Sequence, residues 1–395
     1  MTANYADYDH HGTAATPESA YQEWDDLLAK CPVGRSDAHG GMWVVTGYEE
    51  TVAILRKPDV FSSFPATLPS FPQSARMIPV ELDPPDHQRY RALVAEPFSP
   101  KRAKQYEEPL RQIVNELIDG FIADGACDAF QAMAVPLPAL LATIFLGVPI
   151  EDGPRLQGWI HALVHETASR PEAAMEAAQG IYGYFGELLA QRAGSDGDDL
   201  ISIILRAKVD GVSLSQDELL GFSLFLLLAS IDTSQKAIGS IFWRLANDPG
   251  LLAQLTADPS LIPSAVEEFL RLYGPVVGAR RVTEETEIGG VAMAEGDRIL
   301  LLLGAASRDE RSFAEPAQFR LGRPNAARHL AFGDYIHKCL GIHIARVELR
   351  VMLEEWLRRI PRFGAQPGET ALWSNGQVQG VVRAPIQWNN SQVRL

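Results

Sequence analysis

At 395 residues the chain is far too long for a minimal domain and can bury a large core. Its 35 Lys and Arg against 50 Asp and Glu give a formal charge of −15, which speaks against nucleic acid as a partner, since phosphate binding is driven by clustered cations. Three cysteines, Cys31, Cys127 and Cys339, are too sparse and odd a set for a disulfide framework, so a reducing, cytoplasmic compartment is expected.

The first residues, Met1 to Asp9, lack a basic stretch followed by an apolar one. Neither a signal peptide nor a membrane anchor is therefore expected, and residues 1–20 read as a loosely ordered segment. A short strand is expected at 41–46. Residues 82–91, Leu-Asp-Pro-Pro-Asp-His-Gln-Arg-Tyr-Arg, follow an apolar run at 61–80. The two prolines fix a turn, and His87 and Arg91 then lie one helical turn apart, able to point together at an anion.

Apolar residues spaced by three and four, bounded by Ser, Asp, Gly or Pro, predict helices at 101–124, 137–147, 173–193, 215–247, 264–273 and 341–359. Strands are expected at 287–293 and 298–303, paired as a hairpin around Glu295-Gly296, and at 380–388. Ser215 and Glu218 form a capping box for the longest helix, about 32 residues or roughly 48 Å. Leu219 to Ala229 is apolar nearly all round, as in a helix buried among others. Polar residues then interrupt it, Ser230-Ile231-Asp232-Thr233-Ser234-Gln235-Lys236. Local partners are available there: Lys236 for Asp232 one turn on, and the Ala229 carbonyl for Thr233. Ser264 and Glu267 suggest another capping box, ahead of Glu268-Phe269-Leu270-Arg271, an i,i+3 ion pair.

Phe332-Gly-Asp-Tyr-Ile-His-Lys-Cys339-Leu-Gly341 precedes the last helix. A cysteine ahead of a helix N-terminus is poised to offer a thiolate to a metal. His337, Cys339 and His343 offer three zinc ligands where a structural site wants four. A Cys-His nucleophile pair and a plain buried cysteine are the other readings.

These segments resemble, in the required order, four motifs of the cytochrome P450 monooxygenases: the cysteine loop, the Ala-Gly-x-Asp/Glu-Thr run of the long helix at 229–233, Glu-x-x-Arg at 268–271, and the Asp-Pro-Pro-x-His-x-x-x-Arg helix entry at 83–91. Three positions depart from the pattern. Tyr335 and Ser230 replace glycines, and Gln318 stands where a third member of the Glu-x-x-Arg cluster is usual, leaving Arg320 or Arg323 for that place. The resemblance, to the soluble bacterial type and its camphor-hydroxylating branch, runs from about residue 21 to 383.

It implies one mainly α domain with small β-sheets over residues 1–395, and haem b ligated by Cys339. Phe332, Gly341 and Ala229 would line the cofactor, and His87, Arg91, Arg280 and His337 would hold its propionates. Asp232 and Thr233 would deliver protons to bound dioxygen. Phe64, Ile78, Phe225, Leu228, Val276, Val277 and Val378, with Gln379, would face a small apolar substrate such as a monoterpenoid or small aromatic. Ala75 stands where the camphor enzyme has a hydroxyl donor, which argues against camphor itself. Electrons would come from a separate ferredoxin and its NAD(P)H reductase, docking behind Cys339 on Lys101, Arg102, Lys104, Lys338, Arg346 and Arg350, with the protein a monomer away from membranes. A haem-thiolate isomerase or dehydratase and a haem-based sensor are the rival functions.

Overall fold

The computed structural model describes residues 3–5, 7–12, 14–69, 76–166 and 170–394. Ala75 lies outside them. The architecture is mainly helical with small sheets. The polar-centred helix spans Gln216–Asn247, 32 residues, with Ser215 and Glu218 in the reciprocal capping arrangement that the sequence indicates. Around it gathers the larger of two clusters of buried apolar side chains, including Phe222, Leu227, Ile238 and Phe242. The smaller cluster lies on the sheet and includes Val33, Phe61, Ile299 and Phe313. No helix of the described residues is long and apolar enough to cross a membrane.

The main sheet has six strands in the order Ala3–Asn4, Val33–Ser36, Met42–Val45, Arg298–Leu302, Val277–Val282 and Phe61–Ser62. This differs from the expected hairpin. Arg298–Leu302 pairs with Val277–Val282 and Met42–Val45, while Thr286–Ile288 turns back on Val291–Met293. Gly289 and Gly290, at φ 60° and 77°, form that tighter turn; two successive positive φ angles favour glycine. In the Val277–Val282 strand Arg280 is buried and Arg281 exposed, as a pleated strand requires, so one arginine points into the molecule.

Three boundaries also differ. Residues 101–124 are two helices, Pro100–Gln105 and Glu107–Asp119. The C-terminal strand is split into Gly380–Arg383 and Pro385–Trp388, which join different sheets. The Glu-x-x-Arg helix starts at Ile262, so Ser264 lies inside it and accepts from the Gly322 N–H instead of capping. The N-terminal segment is not loose where it is described. Ala3–Asn4 adds a parallel strand beside Gly34 and Arg35, and Tyr5, Tyr8 and His10 are all buried. The Tyr5 ring lies so close over Gly34 that a Cβ there would meet it at 2.2 Å, so glycine at 34 is what lets the segment pack.

Candidate active site

The cysteine loop is closed by the Cys339 N–H donating to the Phe332 carbonyl at 2.8 Å, three residues before the helix Ile342–Arg359. Gly333 has φ 63°, and Tyr335 has φ 58° with its ring exposed. Tyrosine thus adopts the left-handed turn that the glycine of the motif would favour, and its exposed ring needs no packing space. Burial pushes the Cys339 thiol up, while the Gly341 N–H, Arg91 and Arg346 pull the other way. The residue nevertheless keeps partial access. Surface that is accessible at such depth lines an internal slot. Cys127 sits in the Ala126–Asp128 strand and Cys31 caps the first helix, both away from this loop.

Four donors converge beside the sulfur. His87 and Arg91 come from the helix Asp86–Leu93, Arg280 from the sheet and His337 from the cysteine loop. The two imidazoles lie 4.1 Å apart between centroids, and Arg91 donates to the Lys338 carbonyl next to Cys339. Burial first, then the neighbouring cations, holds His87 down at about 4 and His337 at about 2; burial lowers Arg280 to about 10. Asp83, the acid facing them, is occupied by the Ser62 hydroxyl and the Ser63 N–H and hydroxyl. Both ring nitrogens of His87 are buried without a partner. Buried polar groups are normally satisfied, so this crowd of donors fits a group with two carboxylates, as haem has. His337 Nε2 pairs with the Ser63 hydroxyl at 2.8 Å, and among the described residues no metal-like grouping forms around Cys339, which leaves the zinc reading without support.

On the long helix, Phe225, Leu228, Ala229, Ser230 and Thr233 keep partial access while Leu226, Leu227, Ile231 and Asp232 are buried. One helix stripe therefore lines the slot. Thr233 Oγ1 donates to the Ala229 carbonyl at 2.9 Å and Ser230 Oγ to that of Leu227 at 2.8 Å. Asp232 Oδ1 lies 3.0 Å from Lys236 Nζ, as expected, and also 2.8 Å from His165 Nε2. Burial would raise this carboxyl, but the charges of Lys236 and His165 outweigh it and hold it at about 2. Asp232 Oδ2 is buried and unpartnered. His165 ends the helix Gly153–His165, and nothing in its local sequence marks it.

The expected substrate wall is partly assembled. Val276 bridges to Val378, and the Ile78 side chain lies near Gly221 of the long helix, where the Arg76 carbonyl comes so close that only glycine fits. Val276 keeps partial access, whereas Val277 is buried in the core. Two expectations are corrected. Phe64 is 37% exposed with the Arg76 guanidinium 4.2 Å over its ring, so it belongs to the surface. Gln379 turns its amide to the His10 carbonyl.

A buried acid that the motifs do not mark stands on the cysteine helix. Glu348 Oε2 accepts from Ser234 Oγ at 2.7 Å, Oε1 has no partner, and burial raises the carboxyl from the ordinary 4.5 to about 7. An acid in the apolar stripe of Ile344, Leu349 and Met352 was the legible signal. Because its folded value is raised, the destabilisation is absent below pH 4.5, grows as the unfolded chain alone ionises, and is complete above about 7. Glu348→Gln is expected to raise stability by about 3 kcal/mol at pH 8 and hardly at all at pH 4.5, read from urea unfolding at both. An equal gain at the two pH values would contradict it.

The basic face is depleted. Arg346 makes a two-pronged pair with Glu267, Arg350 pairs with Glu107 and Glu354, and Arg102 with Asp198 and Glu96. Lys101, Lys104 and Lys338 are exposed. Pro100–Gln105 packs against the cysteine helix, so these lysines share its side of the molecule.

The Glu-x-x-Arg pair is fully buried. Arg271 grips Glu268 through Nε at 2.7 Å and Nη2 at 2.8 Å, and Arg323 Nε adds a bond at 2.8 Å. Arg323 is thus the third member, and Arg320 contributes only its backbone N–H.

A family model described as Cytochrome P450 matches residues 38–371. The mycinamicin IV hydroxylase/epoxidase of Micromonospora griseorubida is 35% identical over 359 residues, 88% of this chain and 89% of that one. The steroid C26-monooxygenase of Mycobacterium tuberculosis (strain H37Rv) is 33% identical over 373 residues, 92% of each chain. Among solved structures, CYP101J2 superposes with a TM-score of 0.88 at 28% identity, covering 98% of this chain and 97% of that one.

Proposed function

The chain belongs to the cytochrome P450 family, whose fold uses a cysteine-ligated haem, and from that premise we propose that this monooxygenase holds haem b on Cys339 and oxidises an apolar substrate. The observation that carries the assignment is the convergence of His87, Arg91, Arg280 and His337 beside that cysteine, with Asp83 the facing acid and its oxygens bonded to Ser62 and Ser63, and with both His87 nitrogens unpartnered. Arg91, bonded to the Lys338 carbonyl, would hold a propionate and the cysteine loop together. When bound, the thiolate-ligated haem supplies dioxygen activation, the sulfur's electron donation favouring O–O cleavage.

The long helix supplies the protons. Thr233 Oγ1 faces the slot and is anchored by its bond to the Ala229 carbonyl, which fixes where its lone pairs point. Asp232 stands behind it, ionised, with Oδ2 free to accept a proton and His165 Nε2 on Oδ1. The His165 side chain is 14% accessible against 3% for Asp232, so it is the member of the pair nearer to water. Local backbone bonding alone would make Thr233→Ala a mild stability change with unaltered product yield. The proton role instead predicts that the variant consumes NADH while releasing peroxide, with product per NADH falling about tenfold. Measuring product, peroxide and NADH together decides between them; tight coupling in the variant would reject the role.

The substrate class is apolar, from the wall of Phe225, Leu228, Ala229, Val276 and Val378. With Phe64 outside that wall and a steroid oxidised by one relative, the monoterpenoid expectation widens to polycyclic, steroid-sized ligands. The three cysteines, none of them in a disulfide, support a reducing, cytoplasmic setting. Electrons would come from an acidic ferredoxin and its reductase, recognised by Lys101, Lys104 and Lys338 and not by the already paired Arg346 and Arg350. Reversing two of these lysines to Glu is expected to slow reduction about tenfold at low salt and little at high salt, while Arg346→Gln changes salt dependence less. Stopped-flow reduction across an ionic-strength series checks this.

A further inference from the structure

Away from the haem slot, one cluster of side chains has the chemistry of a metal site. His10, His11 and His39 each bring a ring nitrogen to within 4.8 Å of the others, and they are the only such group of three among the described residues. Their ring centroids are 4.4, 5.3 and 5.4 Å apart, and the ring planes cross at 62°, 66° and 72°. Three imidazoles bound to one ion at about 2.1 Å in tetrahedral directions would have centroids roughly 5 Å apart.

Neighbouring bonds decide which nitrogens are free. His10 Nε2 lies 2.5 Å from the Leu68 carbonyl oxygen, which can only accept, so Nε2 carries the proton and Nδ1 keeps its lone pair. That Nδ1 is buried without a hydrogen-bond partner, in a residue 1% accessible. His39 Nε2 lies 2.7 Å from Asp9 Oδ1, the carboxylate–imidazole arrangement that orients metal-binding histidines. The same carboxylate oxygen stands 3.8 Å from His10 Nδ1 and supplies negative charge. His11 is exposed, which gives an ion its way in and leaves room for water as a fourth ligand.

We propose that His10, His11 and His39 bind a divalent transition-metal ion of the zinc class, through Nδ1 of His10 and His39 and one nitrogen of His11. Imidazole ligands suit zinc, copper and nickel and disfavour magnesium and calcium. The ion would tie the N-terminal segment to two loops beside the substrate wall. His10 reaches one of them through Leu68, and its carbonyl accepts from the Gly376 N–H at 2.7 Å and the Gln379 amide at 3.0 Å in the other.

The test is a titration of chelator-treated, haem-loaded protein with zinc chloride against a competing chromophoric chelator, with magnesium and calcium as controls. One zinc ion per chain is expected to bind. His11→Gln, His39→Gln and Asp9→Asn should each weaken it about tenfold or more, the last without removing a ligand. His161→Gln, an exposed histidine elsewhere, should bind as the parent does. An unchanged reduced carbon-monoxide spectrum in every variant shows that the fold is kept. Absence of saturable zinc binding, or equal affinity in His39→Gln and His161→Gln, overturns the proposal.

Discussion

Cys339→Ala is expected to give a protein whose reduced, carbon-monoxide-bound form lacks the Soret band of thiolate ligation, and with it all oxygenation. The reason is placement. The sulfur lies in the slot, and although burial pushes its thiol up, the Gly341 N–H directed at it and Arg91 and Arg346 beside it oppose that rise and are placed to stabilise a thiolate. Cys127 has acids where Cys339 has cations: burial, Asp128 and Asp124 together push its thiol up to about 12. Cys31→Ala and Cys127→Ala should therefore keep the band, and so should His337→Ala, since His337 is proposed to hold a propionate and not the iron. If either of the other cysteines proved necessary for the band, the ligand assignment would fall.

Glu268→Ala should be the most damaging substitution outside the slot, lowering stability by about 3–5 kcal/mol. Glu268 and Arg271 are both 0% accessible, and Arg323 is 8% accessible. Removing the acid leaves two guanidiniums buried with only backbone oxygens: those of Ser307, Pro316 and Gln318 for Arg271, and of Ala314, Glu315 and Gln318 for Arg323. A loss of this size is a large share of the roughly 5–15 kcal/mol that holds a domain folded. The variant should accumulate without haem, and its urea midpoint should drop sharply. Arg320→Ala is the matched control, since that side chain pairs outward with Glu315. Equal midpoints for the two variants would remove the cluster from any account of stability.

The motifs were readable because each is local. A capping box, a proline turn and a cysteine before a helix are all set by residues within about one helical turn of each other, and the structure puts Ser215 at the cap of the long helix, His87 in the first turn of the helix Asp86–Leu93 and Cys339 three residues ahead of Ile342–Arg359. The Asp232–Lys236 and Thr233–Ala229 contacts were legible for the same reason.

What tertiary structure alone decided was pairing between distant segments. His165 reaches Asp232 across 67 residues, Arg323 and not Arg320 closes the Glu268 cluster across 55, and Glu267 leaves its expected cap to bind Arg346 across 79. The same step paired Arg346 with Glu267 and Arg350 with Glu107, placed Phe64 at the surface and drew His10 and His39 together. A buried charge or polar atom must find a partner wherever the packed chain brings one within about 3 Å, and that choice is made by three-dimensional proximity, which spacing along the chain does not encode.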